Sequence, residues 1–209
     1  AETFSGFFRA EGKLLFKACG IRTPEMLGLN SPDFIGINFS PLSKRRAEPA
    51  LLEKLKQTPV FEPHWVAVFY KNTESEIRDI LDAYPFQTVQ LYANDTSPVF
   101  VRSLRQRVLL AVAVRTKEDL DMVEHFAPDV DCFILDGAAP GSGQLIEAGI
   151  PADFPYPFLL AGGIHAGNLE RVLQYKNCIG VDVASGIEVE GKVNAAVIEE
   201  IVTGMSYQG

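Results

Sequence analysis

The feature that most constrains this chain is a recurrence of short, nearly unbroken apolar runs separated by amphipathic or loop-like stretches. The runs are Leu14–Ala18, Phe34–Asn38, Trp65–Phe69, Thr88–Leu91, Val108–Val112, Cys132–Leu135, Phe158–Ala161 and Ile179–Val183. Runs of this length that do not alternate with polar residues are the pattern of parallel strands covered on both faces. Between them, Glu48–Gln57 groups Leu51, Leu52 and Leu55, and Glu74–Tyr84 groups Ile77, Ile80 and Leu81. Ser97–Arg107 brings Val101, Leu104 and Val108 together, and Lys117–Phe126 does so for Leu120 and Val123. These spacings predict helices, with Thr73 and Thr116 placed to cap two of them. Eight strands alternating with helices in 209 residues is the count of a single-domain (β/α)8 TIM barrel. The competing open, doubly wound sheet usually carries a glycine-rich turn after its first strand, which Ala18-Cys19-Gly20-Ile21 is not.

Two connections are too thin for long helices. Pro24–Asn30 leaves room for a turn or two. Pro151, Pro155 and Pro157 crowd the stretch between Gly143 and Phe158. The expectation is therefore a barrel over residues 13–209 with shortened first and sixth helical connections, preceded by an extension, residues 1–12, to which no role is assigned.

Charge and cysteine content narrow the functions open to such a barrel. The formal net charge is −8, from 19 basic and 27 acidic residues, which argues against nucleic acid or an anionic membrane as the main partner. A small anionic ligand remains compatible, because a site can be locally positive on an acidic protein. Cys19, Cys132 and Cys178 suggest no disulfide framework, so a reducing, cytoplasmic setting is expected. The three histidines form no cluster and no Cys/His pair has zinc-ligand spacing, so neither metal nor cofactor is expected. Residues 1–9 lack a signal peptide's basic start and apolar core, and no apolar run approaches the roughly 18 residues that span a bilayer.

Barrel sites collect at the C-terminal ends of the strands, and several of these ends carry useful chemistry. Asp136 closes the sixth run and is followed at once by Gly137-Ala138-Ala139-Pro140-Gly141-Ser142-Gly143. It either caps that loop or works in a site. Cys19 closes the first run, as buried filler or as a thiolate base. Lys44, Arg45 and Arg46 lie in the loop after the second run, a solvated basic stretch or a seat for an anion. Gln90 and Tyr92 flank the end of the fourth. Ala161-Gly162-Gly163-Ile164 and Ala184-Ser185-Gly186-Ile187 follow the seventh and eighth, the pair of loops between which barrels commonly hold phosphate.

Taken in order, these residues resemble phosphoribosylanthranilate isomerases of tryptophan biosynthesis. The resemblance is carried by Lys17-Ala18-Cys19-Gly20-Ile21, Phe39-Ser40-Pro41-Leu42-Ser43-Lys44-Arg45, Val89-Gln90-Leu91, Leu135-Asp136, Gly162-Gly163 and Asp182-Val183-Ala184-Ser185-Gly186-Ile187-Glu188. It runs from about Leu14 to the C-terminal helix. It implies an Amadori rearrangement of N-(5-phosphoribosyl)anthranilate without metal or redox cofactor. Asp136 would open the furanose ring as general acid, and Cys19 would take the proton from C2′ as general base. Arg45 would face the anthranilate, Asp182 the ribose hydroxyls, and Gly162, Gly163, Ser185 and Gly186 the phosphate, with Gln90 also binding substrate. The implied protein is a monomer or homodimer. Tyr92 departs from the histidine usual in the family at that position, and the loop after Asp136 is a looser match. A related phosphosugar isomerase of the ProFAR type would place a carboxylate where Cys19 stands. A non-catalytic phosphate-binding barrel is the alternative of another class.

Overall fold

The computed structural model describes residues 13–137 and 149–208; residues 1–12 and most of the loop after Asp136 lie outside them. Eight parallel strands form a closed barrel in sequence order: β1 (Leu15–Cys19), β2 (Phe34–Asn38), β3 (Trp65–Val68), β4 (Thr88–Tyr92), β5 (Arg107–Ala113), β6 (Cys132–Asp136), β7 (Phe158–Ala161) and β8 (Cys178–Val183). Each of the eight apolar runs is a strand, and the shifts at their ends are a residue or so. Closure is made by β8 pairing with β1, Leu15 opposite Gly180 and Lys17 opposite Asp182. This seam excludes the open sheet.

The continuous hydrophobicity of the strands reflects two cores served by one period-two alternation. In β6, Cys132 and Ile134 point into the barrel with Leu15, Val66, Val68, Leu109, Ala111 and Leu159. Phe133 and Leu135 point outward, under the helices and connections, with Phe16, Ile35, Ile37, Leu110 and Leu160. Phe39, Phe61, Trp65, Phe69, Tyr84 and Phe86 make a connected aromatic group on the outer side. Burying one such ring is worth about 1.5–3 kcal/mol, so this group is a large share of what holds β2–β4 to their cover.

The helical layer is thinner than the sequence spacing predicts. The first two full helices, α1 (Pro49–Lys56) and α2 (Glu74–Ala83), lie where expected, the latter with a complete capping box between Thr73 and Glu76. The helix expected over Ser97–Arg107 stops early, as α3 (Pro98–Ser103), and Val108 belongs to β5 instead. That segment is capped at its start, where Ser97 Oγ accepts the Phe100 amide proton. The stretch Lys117–Phe126 divides into a 3-10 turn (Lys117–Leu120) and the short α4 (Val123–Phe126). The first connection holds only a 3-10 helix, Pro24–Gly28, and the β7–β8 connection another, Leu169–Gln174. After β8 comes a small antiparallel hairpin, β9 (Glu188–Val189) and β10 (Lys192–Val193), which the sequence pattern did not suggest. The described residues then end on α5 (Ala195–Gln208). Among the described residues no helix is long and apolar enough to cross a membrane.

The seam is tight. A Cβ on Gly180 would lie 2.1 Å from the Leu15 carbonyl oxygen, so only glycine lets β8 approach β1. Gly180→Val is expected to lower stability by at least about 1–3 kcal/mol in urea denaturation. Gly28→Ala, which meets nothing within 4 Å, should stay within about 0.5 kcal/mol of the wild type.

Candidate active site

Because the strands are parallel, Cys19, Asp136 and the loops after β7 and β8 open on the same end of the barrel. Alternation along β1 places Leu15, Lys17 and Cys19 on one face, pointing inward. Lys17 is wholly buried, and its Nζ donates to Asp182 Oδ1 at 2.9 Å, joining β1 to β8 beneath the mouth. Gly36, on β2, has no side chain at the point where one would collide with this pair of neighbours. A Cβ there would lie 2.8 Å from Cys19 Sγ and 3.2 Å from Lys17 Nζ.

The charges at the mouth form one coupled group. Burial pushes the Cys19 thiol above its ordinary range, the Lys17 ammonium draws it back down, and Asp182 pushes it up again. Burial alone would drag Lys17 down, yet Asp182 and Cys19 together hold it above the usual lysine value. Tyr92 ends β4 as a half-buried phenol, and it is pushed up by burial and by the nearby Cys19, Asp182 and Asp136. One hydroxyl therefore senses both the expected acid and the expected base. Its oxygen accepts a long hydrogen bond, 3.4 Å, from Gln90 Nε2, and its ring packs edge-on against Tyr70. Gln90 is 2% exposed and its Oε1 accepts no hydrogen bond among the described residues.

Glycine geometry shapes the two loops expected to hold an anion. Gly162 and Gly163 have φ of 92° and 66°, a left-handed turn that L side chains rarely adopt. A Cβ on Gly186 would lie 2.0 Å from the Ile164 carbonyl oxygen, so the loop after β8 is pressed backbone-to-backbone on the loop after β7. Ser185 is exposed beside this contact. The Gly163 carbonyl is in turn held by Asn168 Nδ2 at 2.9 Å.

Arg45 is the basic side chain of its loop that turns toward the site, while Lys44 and Arg46 are exposed. Its Nε and Nη2 both donate to Glu188 Oε1, at 2.9 and 2.5 Å, tying the β2 loop to the start of the hairpin after β8. The stem of Arg45 crosses Gly20, whose φ is +84° and whose absent Cβ would sit 2.7 Å from Arg45 Cδ. The glycine next to Cys19 is thus required twice, by its turn and by the arginine that lies on it.

The structure brings Cys19, Gln90, Asp136 and Asp182 to one mouth with Gly162, Gly163, Ser185 and Gly186 at its rim, and Arg45 beside them. Lys17 and Glu188, which pair with Asp182 and Arg45, were not singled out from the sequence. A lysine in the middle of an apolar parallel strand, two residues before Cys19, was the signal for the first. Among the described residues no three His, Cys, Asp or Glu side chains are grouped so as to hold a metal ion.

Comparison with known proteins identifies what this arrangement resembles. A sequence model of N-(5'phosphoribosyl)anthranilate (PRA) isomerase matches residues 17–204. The N-(5'-phosphoribosyl)anthranilate isomerase of Brevibacillus brevis is 32% identical over 204 residues, spanning 89% of this chain and 90% of that protein. The structure of the Pyrococcus furiosus N-(5'-phosphoribosyl)anthranilate isomerase superimposes with a TM-score of 0.71 at 26% identity, covering 93% of this chain and 99% of that one. A further phosphoribosyl anthranilate isomerase structure, in complex with reduced 1-(o-carboxyphenylamino)-1-deoxyribulose 5-phosphate, gives a TM-score of 0.72 at 22% identity, with coverage of 93% and 99%.

Glu188→Gln removes the charge that holds Arg45 while keeping a neutral acceptor. A mostly shielded, doubly bonded guanidinium should lose about 1–2 kcal/mol of stability with it, read as a lower urea midpoint at an unchanged slope.

Proposed function

The chain belongs to the N-(5'-phosphoribosyl)anthranilate isomerase family, and we propose that it carries out that family's reaction with Asp136 as general acid and Cys19 as general base. The reaction is the Amadori rearrangement of N-(5-phosphoribosyl)anthranilate to 1-(2-carboxyphenylamino)-1-deoxyribulose 5-phosphate, a step of tryptophan biosynthesis. The observation that carries the assignment is the placement of one acid and one potential base at the ends of β6 and β1, on opposite sides of a single mouth.

In the first step the furanose C1′–O bond breaks, the ring oxygen takes the Asp136 proton, and the anthranilate nitrogen lone pair forms the C1′=N bond of an iminium. In the second, the Cys19 thiolate takes the proton from C2′. The C–H pair becomes the C1′=C2′ bond and the C=N π pair returns to nitrogen, neutralising it. Tautomerisation of the enaminol then gives the ketone. Each proton transfer is the kind a positioned side chain accelerates by about 10²–10⁴.

The remaining roles follow from polarity and reach. The phosphate is taken by backbone amides of Gly163, Ser185 and Gly186, with Gly162 supplying the turn. Gln90 Oε1, buried and without a donor among the described residues, accepts a ribose hydroxyl proton; Asp182 binds beside it while holding Lys17. Arg45, anchored by Glu188, offers its remaining N–H groups to the anthranilate carboxylate. The substrate is a small phosphosugar, and the barrel domain runs from residue 13 to 209.

The test is the loss of phosphoribosylanthranilate fluorescence on adding purified protein. Asp136→Asn should lower kcat by at least about 10²-fold, since it keeps size and polarity but has no transferable proton. Cys19→Ser should lower kcat on the same scale, and both variants should still bind a product analogue. Near-normal kcat in folded Cys19→Ser would remove the base from the mechanism. Gly163→Val, which forces a branched side chain on a φ of 66°, is expected to raise KM through the phosphate far more than it lowers kcat.

A further inference from the structure

A wholly buried lysine is costly unless something within the fold makes use of its charge, and Lys17 has two neighbours for one ammonium. Asp182 takes one hydrogen bond at 2.9 Å. Cys19 lies on the same strand face two residues on, and its sulfur and the Lys17 nitrogen flank the same missing side chain of Gly36. The glycine keeps open the volume in which they meet. The titratable groups around that volume come from four strands: Lys17 and Cys19 from β1, Asp182 from β8, Tyr92 from β4 and, beyond the phenol, Asp136 from β6.

We propose that Lys17 is the positioning residue for the base: its ammonium, anchored on Asp182, is the counter-ion against which Cys19 becomes a thiolate. The inference rests on Cys19 as base and names what makes that base available. In the resting protein the sulfur holds its proton. On ionisation that proton leaves to solvent, and the negative sulfur is left facing a fixed positive charge, with Asp182 limiting how much of that charge it feels. When the thiolate then takes the C2′ proton, the ammonium returns to Asp182 alone. Lys17 neither gives nor receives a proton, so it touches no reacting atom of the substrate.

The proposal is tested by alkylating native protein with iodoacetamide over a range of pH and following the peptide that contains Cys19 by mass spectrometry, without substrate. Lys17→Met combined with Asp182→Asn deletes the pair without leaving a buried charge alone. Its reference is Lys17→Arg combined with Asp182→Asn, which keeps the cation and also lacks the carboxylate that opposes it. Relative to that reference the Cys19 alkylation midpoint in the methionine variant should be higher by at least about one pH unit, a tenfold loss of thiolate at fixed pH. Equal midpoints in the two folded variants would overturn the proposal, because a merely structural pair would alter stability and leave the thiol's ionisation where it was. If the double variant does not fold, the wild type decides. The Nζ ¹⁵N resonance of Lys17 should shift as Cys19 titrates and stay flat in Cys19→Ser. A flat response in the wild type would overturn the idea as well. Normal turnover by Cys19→Ser would instead defeat the assignment of the base while leaving the alkylation result intact.

Discussion

A buried ion pair on the closing seam, Lys17 with Asp182, is the interaction on which the rest of this barrel is arranged. Taking both groups out of water is expensive, and replacing such a pair with well-packed apolar residues is often neutral or better for stability. Removing only one partner, by contrast, typically costs about 3–5 kcal/mol, because the other is left charged and alone. The pair therefore binds two strand positions together in an all-or-none way. Lys17 and Asp182 are register partners of β1 and β8. A slip of either strand by one residue would turn its own member of the pair to the outer face and leave the other buried and alone. The cost of desolvation is offset by a fixed closure and a fixed electric field directly below the mouth.

The same seam explains where glycine is used. Gly180 allows β8 to reach Leu15, and Gly36 leaves space for the side chains of β1 on the next strand round. Gly20 admits the stem of Arg45. Around β1, then, the two neighbouring strands and the exit of β1 itself each give up a side chain so that one strand can present an ammonium, a thiol and a sharply turned end. The expected acid lies across the mouth, at the end of β6. Strand ends supply the rigid chemistry and loops supply the grip, a division common to barrels of this architecture.

The sheet was readable from sequence because both faces of every strand are covered, so that hydrophobicity marks strands without ambiguity of phase. Phe34–Asn38 and Phe158–Ala161 fall on their predicted bounds for that reason. The helices were less legible. Apolar spacing over Ser97–Arg107 continues through Val108, yet the chain must already be extending into β5 to pair with β4, and sheet geometry overrides the helical period. Over Lys117–Phe126 the Asp119 carboxylate accepts from the amides of Arg115 and Thr116, tightening the first turn to a 3-10 form. At the site, Cys19, Asp136 and the glycine loops could be named from their positions at strand ends. Lys17 could not be given a partner, because Asp182 lies 165 residues away and only barrel closure makes them neighbours. Arg45 could be named as a cation but not as the partner of Glu188, whose place depends on a hairpin too short to leave a periodic signal.

The backbone contact between Gly186 and Ile164 bears on how a phosphate would be held. With no room even for a methyl group between them, the loops after β7 and β8 are packed backbone to backbone, and neither can move toward the other. A phosphate seated between them as proposed would rest on one continuous surface of main chain, its grip set by the hydrogen bonds that surface offers. Changes to either loop would then act on how tightly product is held, through the main chain that both loops share at this contact.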